Sequence, residues 1–243
     1  MAQADYGIDA PGLVRGFFLA GAGLVAVATG VTATGYGVLA VVLATLAVYP
    51  LGMGVFMLRF SQKTKVRERE AILDLVTWRG DEAVLDVGCG RGLMLVGAAR
   101  RLTTGRATGI DIWQATDQSG NSAASALGNA AIEGVVSRVE VRTADMRDLP
   151  FADVSFDVIV SHWAVHNVPE ADDRDRALSE MVRVLAPGGT ILLTDIAHRD
   201  DYAACFAALG LTTRIVVDPR RDAVLRAVSF GNFAPATNVA RRP

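Results

Sequence analysis

The stretch that decides the fold is Val84-Leu85-Asp86-Val87-Gly88-Cys89-Gly90-Arg91-Gly92. Its start is mostly apolar, as in a buried strand, and its three alternating glycines let the backbone turn sharply and approach a ligand closely. We predict a strand at 83–87, this turn, and a helix at 93–102. In an open parallel sheet such a turn lies at the carboxyl ends of the strands, where ligands bind. Leu93 replaces the last glycine of a dinucleotide fingerprint, and Asp86 suits a cationic ammonium better than a pyrophosphate.

The chain after residue 65 alternates segments with helix and strand patterns. Further strands are predicted at 107–112, 139–143, 156–161 and 190–195, with two weaker strands near the C-terminus, and helices at 66–77, before 133 and at 172–185. Pro187-Gly188-Gly189 marks the end of the last of these helices. The alternation predicts an α/β fold with a mostly parallel sheet and helices on both faces.

Acidic residues recur where the predicted strands end. Asp111 ends the second strand, 23 residues after Gly88, and Asp145 ends the third. A carboxylate at the end of the second strand typically bonds ribose hydroxyls. Each residue alone is explained as well by a helix cap or a turn. With Asp86 of the first strand, three successive strands each present an aspartate at the same edge of the sheet. Together they predict a ligand site at that edge.

These segments resemble the class I S-adenosylmethionine-dependent methyltransferases, closest to the ubiquinone/menaquinone-type and other small-molecule branches. The resemblance rests on residues 84–92, 109–111, 144–145 with 149–151, 156–160 and 183–189. It implies a Rossmann-like sheet of seven strands with the last one antiparallel, and S-adenosyl-L-methionine as the cofactor. It does not identify the methyl acceptor.

The resemblance also implies roles for single residues. It assigns the methionine end of the cofactor to Asp86 and to the turn residues Gly88, Cys89, Gly90 and Gly92, the ribose to Asp111, the adenine to Ile112, Asp145 and Met146, and the border of the sulfonium to Ser161. Cys89 counts here as a small residue of the turn and not as a nucleophile.

The three histidines of the chain, His162, His166 and His198, all follow the fourth or fifth strand and are the candidate catalytic residues. Methyl transfer needs a base only when the acceptor carries a proton, and histidine suits neutral pH. The segment around His166 resembles a family pattern L-H-H-L-P-D, with Asn167 in place of the second histidine. The alternative is that His166 and Asn167 cap a helix and line the pocket. No metal site is predicted, because no carboxylate spacing accompanies the histidines.

A second feature precedes this domain: residues 16–58 contain no charged residue and no histidine. One helix of this length would measure roughly 65 Å, about twice the ~30 Å hydrocarbon core of a bilayer. We therefore predict a transmembrane hairpin with spans at 14–32 and 37–59. A cleaved signal peptide has a shorter apolar region, and a buried soluble hairpin is the other alternative. Small residues at 22, 26, 30 and 34 offer a face for packing within the hairpin or for a homodimer.

Charge indicates the orientation of the hairpin. Arg15 lies at the start of the first span, and five basic residues (Arg59, Lys63, Lys65, Arg67 and Arg69) follow the second. Positive flanks predict that both termini and the catalytic domain are cytoplasmic, with the protein in the cell membrane. The basic segment is expected either to touch anionic headgroups or to be a solvated flank.

Composition narrows the function classes. The chain has 243 residues, 51% of them hydrophobic, which excludes intrinsic disorder, and two cysteines, which cannot form a disulfide framework. Residues 71–243 hold 18 basic and 22 acidic side chains, which argues against a nucleic-acid partner.

We divide the chain into a tail (1–13), a hairpin (14–59), a basic segment with an amphipathic helix (60–78) and a methyltransferase domain (79–243). The predicted function is methylation of a small lipophilic acceptor, such as a quinone, phenolic, lipid or thiol, by a membrane-anchored enzyme. The alternatives are a soluble acceptor, with the hairpin only for localisation, and a non-catalytic membrane scaffold that binds the cofactor.

Overall fold

The computed structural model describes residues 3–114, 116–229, 231 and 233–243. It consists of two compact units. The first holds the N-terminal residues up to Asp5, Glu68–Trp113 and Asn121–Pro243, and the second holds Tyr6–Arg67 and Gln114–Gly120. The domain boundaries predicted above stay a prediction.

The first unit contains the predicted seven-stranded sheet, in the order β3-β2-β1-β4-β5-β7-β6. The strands are β1 (Ala83–Val87), β2 (Arg106–Asp111), β3 (Val139–Thr143), β4 (Phe156–His162), β5 (Leu185–Asp195), β6 (Thr212–Val216) and β7 (Ala236–Arg241). All neighbours pair in parallel except β7, which is antiparallel to both β5 and β6. The predicted α/β class and the antiparallel last strand are confirmed.

Alternate strand residues divide the core of this unit into two clusters on opposite faces of the sheet. One cluster includes Val84 of β1, and the other includes its neighbour Leu85. The helices are α3 (Lys65–Leu73), α4 (Leu93–Ala99), α5 (Ala123–Ile132), α6 (Ala171–Val184), α7 (Arg199–Ala208) and α8 (Pro219–Val228). Residues of α4 and of the end of α3 pack in the first cluster, and residues of α6 and α7 pack in the second.

Two details differ from the sequence prediction. Strand β5 begins at Leu185, directly after α6, so Pro187-Gly188-Gly189 lies within the strand and not in a loop before it. The strand accommodates them through a register shift against β4, and a Cβ at Gly189 would approach the carbonyl oxygens of Ala186 and Asp157 to 2.8 Å. Helix α8 was not predicted, because its sequence is rich in arginine and begins with proline.

The second unit contains the helical hairpin, formed by α1 (Pro11–Ala33) and α2 (Gly37–Arg59), and a π-helical turn at Phe60–Thr64. Helix α2 has the predicted bounds. Helix α1 begins at Pro11, three residues before the predicted span, so Arg15 lies one turn inside the helix.

The contact face of the hairpin differs from the one expected. Buried residues recur every seven positions, at Val14, Gly21 and Ala28 in α1 and at Ala40, Ala47 and Gly54 in α2, where Pro50 is buried as well. Positions 22, 26, 30 and 34 are exposed. The prediction that these small residues pack within the hairpin is therefore wrong.

The basic segment after the hairpin is also less exposed than expected. Lys65 is 2% exposed and Arg69 is 1% exposed. Lys65 bonds to Tyr6, Gly7 and Asp9, and Arg69 pairs with Glu70 and Glu133. These two cations are buried and hydrogen-bonded, whereas Arg59 and Arg67 of the same segment are exposed.

Candidate cofactor and acceptor site

The glycine turn joins β1 to α4 at the carboxyl edge of the sheet. Gly88, Gly90 and Gly92 all have positive φ, a conformation that side chains rarely adopt. The amides of Gly88 and Cys89 both donate to the carbonyl oxygen of Ile110 at 2.9 Å, which draws the turn onto β2. A Cβ at Gly88 would collide with the Cβ of Ala164. The turn therefore packs against the segment that follows β4.

Asp86 is the buried carboxylate of β1. Its Oδ2 accepts the amide of Leu95 at 2.7 Å, whereas Oδ1 is buried and has no hydrogen-bond partner among the described residues. Burial raises the pKa of Asp86 to about 8, and the amide of Leu95 opposes that rise. A buried acceptor without a donor is a position where a ligand donor or a retained proton is required.

Asp111, at the end of β2, connects the turn to the loop beyond it. Its Oδ2 accepts the amide of Gly90 at 2.8 Å, and its Oδ1 accepts the amide of Trp113 at 2.6 Å and the Nδ2 of Asn121 at 3.4 Å. Ile112 beside it is 52% exposed, an apolar side chain left open at a polar edge.

Asp145, after β3, is bound by a residue that sequence reasoning missed. Arg147 donates Nη2 to Oδ2 at 2.7 Å and Nε to Oδ1 at 3.0 Å, and its Nη1 reaches Asp173 at 2.6 Å. Hydrogen bonding by Arg147 lowers the pKa of Asp145 and keeps it ionised. Met146 packs partly buried against the second core cluster. Arg147 lies in a turn, where no regular sequence spacing predicts that it contacts Asp145.

Ser161, the remaining predicted cofactor residue, is turned towards the sheet. It is buried in β4, and its hydroxyl donates to the carbonyl oxygen of Val87 at 2.8 Å. Its side chain thus ties β4 to the end of β1, directly below the glycine turn.

These residues fit S-adenosylmethionine. The cofactor carries an ammonium, two ribose hydroxyls and a flat adenine. The structure offers the buried carboxylate of Asp86, a turn with glycine at positions 88, 90 and 92, the ionised carboxylate of Asp145 and the exposed apolar side chain of Ile112. Asp111, to which the resemblance assigns the ribose, is hydrogen-bonded to the amide of Gly90 in the turn.

His166 and Asp195 form a hydrogen-bonded pair beside this edge. His166 lies in a 3₁₀ turn, Val165–Asn167, and its Nδ1 is 2.5 Å from the Oδ1 of Asp195. The backbone amide of His166 donates to Oδ2 at 3.0 Å, and the amide of Ile196 donates to Oδ1 at 2.8 Å. Tyr202 adds a hydroxyl at 3.4 Å, and burial raises the pKa of Tyr202, so that this hydroxyl keeps its proton.

Asp195 was not among the predicted site residues. It is the last residue of β5 and is 1% exposed. Its position at the end of β5 could have identified it, because Asp111 occupies the same position at the end of β2.

The other two predicted histidines, His162 and His198, have different contacts. His162 ends β4 and stacks on Trp163, with ring centroids 5.0 Å apart, and Trp163 meets the edge of Phe233 at 5.6 Å. His198 has positive φ and lies 3.4 Å from Asp201. It lines a cavity of about 380 Å³ together with Ile196, Ala197, Arg226, Gly231 and Ala234. Within the described part of the chain, no group of three or more His, Cys, Asp or Glu is placed to hold a metal ion.

Strained backbone accompanies this edge. Trp113 and Trp163 follow the ends of β2 and β4, and both have positive φ, 61° and 55°. Bulky residues rarely adopt this conformation, and such outliers cluster at functional sites.

Residues 85–193 match a family described as a methyltransferase domain. The methyltransferase GfsG of Streptomyces halstedii is 36% identical over 140 residues, which are 56% of this chain and 47% of the relative. The ubiquinone/menaquinone biosynthesis C-methyltransferase UbiE of Geotalea daltonii is 35% identical over 136 residues, which are 56% of this chain and 49% of the relative. The chain thus spans about half the length of these curated relatives.

Solved structures share the fold at lower identity. Geranyl diphosphate C-methyltransferase from Streptomyces coelicolor, solved with S-adenosyl-L-homocysteine, geranyl diphosphate and Mg²⁺, has a TM-score of 0.58 at 20% identity, over 73% of this chain and 79% of that one. The [4+2]-cyclase SpnF has a TM-score of 0.59 at 21% identity, over 75% of this chain and 83% of that one. The matched segment carries the glycine turn, Asp111 and Asp145, and residues 85–193 are therefore similar in sequence to methyltransferase domains and lie on a fold that solved methyltransferases share.

Proposed function

We propose that the chain is a membrane-anchored enzyme that transfers a methyl group from S-adenosylmethionine to a small lipophilic acceptor with a dissociable proton, such as a phenolic hydroxyl or a thiol. The observation that carries the proposal is the His166–Asp195 pair. Ala164, two residues before His166, packs against Gly88 of the glycine turn. A base-capable side chain thus stands next to the part of the turn assigned to the methionine end of the cofactor.

S-adenosylmethionine supplies an electrophilic methyl group on a sulfonium. The protein's share is to align the acceptor in line with that group and to exclude water. Asp195, which accepts four hydrogen bonds, holds the proton of His166 on Nδ1 and leaves the lone pair of Nε2 free to take the acceptor's proton. The carboxylate also stabilises the imidazolium that forms when Nε2 is protonated.

Three observations support the membrane anchor. Helices α1 and α2 are each 23 residues long. Only 11% and 22% of the residues in their apolar stretches are buried, whereas the core helices of a soluble protein are mostly buried. In the α/β unit, Asp5 bonds through both its backbone N–H and its carbonyl to the side chain of Asn129, and its carboxylate pairs with Arg91 at 2.9 Å.

Residue 5 and the α/β unit must therefore be on the same side of a membrane, which requires an even number of crossings between them. A signal sequence cleaved after the apolar run would remove Asp5 from the protein. The basic flanks favour the cytoplasmic side for both termini. Homodimerisation through the exposed small residues of α1 stays a prediction.

The lipophilic acceptor is supported by the anchor and by the relatives. Demethylmenaquinone methyltransferase of Desulfitobacterium hafniense is 31% identical over 130 residues, 53% of this chain and 48% of that protein. A bilayer concentrates apolar acceptors of that kind next to an anchored enzyme.

A second candidate keeps the reaction but makes the acceptor soluble and polar. The cavity beside His198 favours it, because Arg226 and the charged start of α7 line that cavity. The hairpin would then serve only to localise the enzyme.

The test supplies labelled S-adenosylmethionine to the full chain in lipid nanodiscs, with membrane extract and soluble metabolites as separate acceptor pools. We expect label in the organic phase, and a loss of roughly 10²–10⁴-fold in rate for His166→Ala. Asp74→Asn, a change in an exposed ion pair with Arg101, is the matched control. Label only in water-soluble products would favour the polar acceptor, and the absence of transfer to either pool would contradict the proposed activity.

A further inference from the structure

We propose that Asp9, Ser61 and Lys65, at the base of the hairpin, are positioning residues for the cofactor. They form a clamp that holds the polar loop 114–120, and through that loop they set the geometry of Asp111. The inference rests on the proposed function, since it concerns the same cofactor site. It assigns a positioning role to this loop and to Lys65, neither of which takes part in the proposed methyl transfer.

Lys65 is the buried charge of the clamp. Its Nζ donates to the carbonyl oxygens of Tyr6 at 2.6 Å and Gly7 at 2.7 Å, and it lies 3.3 Å from the Oδ1 of Asp9. An ammonium has three donors, and these three acceptors satisfy them. Burying a charge is costly unless it is paired and hydrogen-bonded, so this network defines one conformation of residues 6–9.

Asp9 extends the network in two further directions. Its Oδ2 accepts the hydroxyl of Ser61 at 3.1 Å, and its Oδ1 accepts the Nε2 of Gln118 at 3.2 Å. Asp9 precedes α1 by two residues, and Ser61 follows α2 by two. The two ends of the hairpin and the polar loop therefore meet on one carboxylate.

The loop is also paired with the N-terminal segment along the backbone. Asp9 and Gln118 form an antiparallel bridge, and Ser119 donates its amide to the carbonyl oxygen of Ile8 at 3.0 Å. The amide of Ile8 donates to the hydroxyl of Ser119 at 2.8 Å, and the amide of Ala10 donates to the carbonyl oxygen of Asp117 at 2.9 Å. Residues 117–119 are thus held by both backbone and side-chain bonds.

The loop matters to the cofactor because of what bounds it in the chain. Trp113 and Asn121 are the residues directly outside the loop, and both donate hydrogen bonds to the Oδ1 of Asp111. Trp113 holds a strained φ of 61°, which persists only where the surroundings impose it. Releasing the loop is expected to relax this strain and to loosen Asp111.

The test measures the affinity of the full chain in nanodiscs for S-adenosylhomocysteine by calorimetry. Lys65→Met keeps the apolar stem but removes the ammonium, and Gln118→Ala with Ser119→Ala removes the side-chain bonds from the loop side. Arg67→Met, at an exposed position of the same helix, is the matched control. We expect Kd to rise about tenfold in the first two variants and to change less than twofold in the control.

Two further readouts separate positioning from general destabilisation. The amides of residues 117–121 should exchange hydrogen faster in both clamp variants, and the KM for the cofactor should rise while kcat stays near that of the wild type. Where Lys65→Met fails to fold, the loop variant decides. Unchanged affinity with a released loop, or unchanged exchange in the loop, would overturn the inference. A wild-type chain that binds no S-adenosylhomocysteine would instead refute the proposed function.

Discussion

Three aspartates lie in β1 and at the ends of β2 and β5, and their surroundings give them different chemistry. Asp86 is buried with one oxygen that no described donor meets, Asp111 accepts three hydrogen bonds at the edge, and Asp195 accepts four. Burial raises the pKa of the Asp86 carboxyl, which accepts only the amide of Leu95. Asp195 is thus suited to orient a histidine, whereas Asp86 is suited to respond to pH.

Asp86 predicts a pH dependence of stability. Its pKa is about 8 in the folded protein and near 3.8 when unfolded, so the folded state holds more protons between these values. The contribution is complete below about pH 4 and is lost as the pH rises through 8. Unfolding in denaturant, followed by tryptophan fluorescence, should show the stability of the wild type falling relative to Asp86→Asn, by at most about 1.4 kcal/mol per pH unit.

The fluorescence reports the right unit, because the three tryptophans, at positions 78, 113 and 163, all lie in the α/β unit. Asp74→Asn serves as the control, since this exposed carboxylate is paired with Arg101. If the wild type and Asp86→Asn depended on pH in parallel, Asp86 would be ionised in the folded state.

Among single residues, the sequence predicted those whose role depends on their near neighbours in the chain. The glycine turn and Asp111 follow from strand ends and spacing, which are readable within a few residues. The partner of His166 is 29 residues away and becomes visible only when β4 and β5 pair. Arg147 at Asp145 and the burial of Lys65 depend likewise on where turns and tails fold back.

At the scale of elements, the hairpin shows which helix features a sequence determines. A run without charges located both helices, and the bounds of α2 agree with the prediction. The contact face was missed because every side of α1 carries small residues, so composition does not distinguish one face from another. Packing selects Gly21, where a Cβ would lie 2.5 Å from the Cγ of Leu51.

Gly21→Val should separate the two helices, because its side chain would displace Leu51. Spin labels at Thr29→Cys and Thr45→Cys, in a Cys205→Ala background, report the distance between α1 and α2. We expect it to lengthen on the order of 2 Å, the range over which packed helices vary. Gly23→Val is the control, since nothing lies within 4 Å of its Cβ. An equal effect of both changes would refute the contact face.

For the whole molecule, the two units carry different evidence. The α/β unit combines a confirmed seven-stranded, mostly parallel sheet with a family match, and its fold was predictable because strand and helix patterns alternate over its length. The second unit includes residues 114–120, which no sequence pattern would join to a hairpin more than 50 residues away. Such a partnership rests on backbone and side-chain hydrogen bonds between residues that are far apart in the sequence.

The anchor predicts a definite topology in cells. An impermeant maleimide should label Gly35→Cys, in the turn between the helices, from outside intact cells. It should label Gln3→Cys only after permeabilisation, because Asp5 bonds to the α/β unit, for which we propose the inner side of the membrane. Labelling of both positions in intact cells would place the N-terminus outside, and labelling of neither would favour a hairpin that does not cross the membrane.

The most direct measurement of the central claim is calorimetry of S-adenosylhomocysteine with the wild type and with Asp111→Ala, using Asp74→Asn as the control. We expect saturable binding that weakens roughly 10–100-fold in Asp111→Ala, because the hydrogen bonds between the ribose hydroxyls and the Asp111 carboxylate are lost. The control should bind as the wild type does. Equal affinity of the wild type and Asp111→Ala, or no binding by either, would contradict the assignment of this edge as a cofactor site.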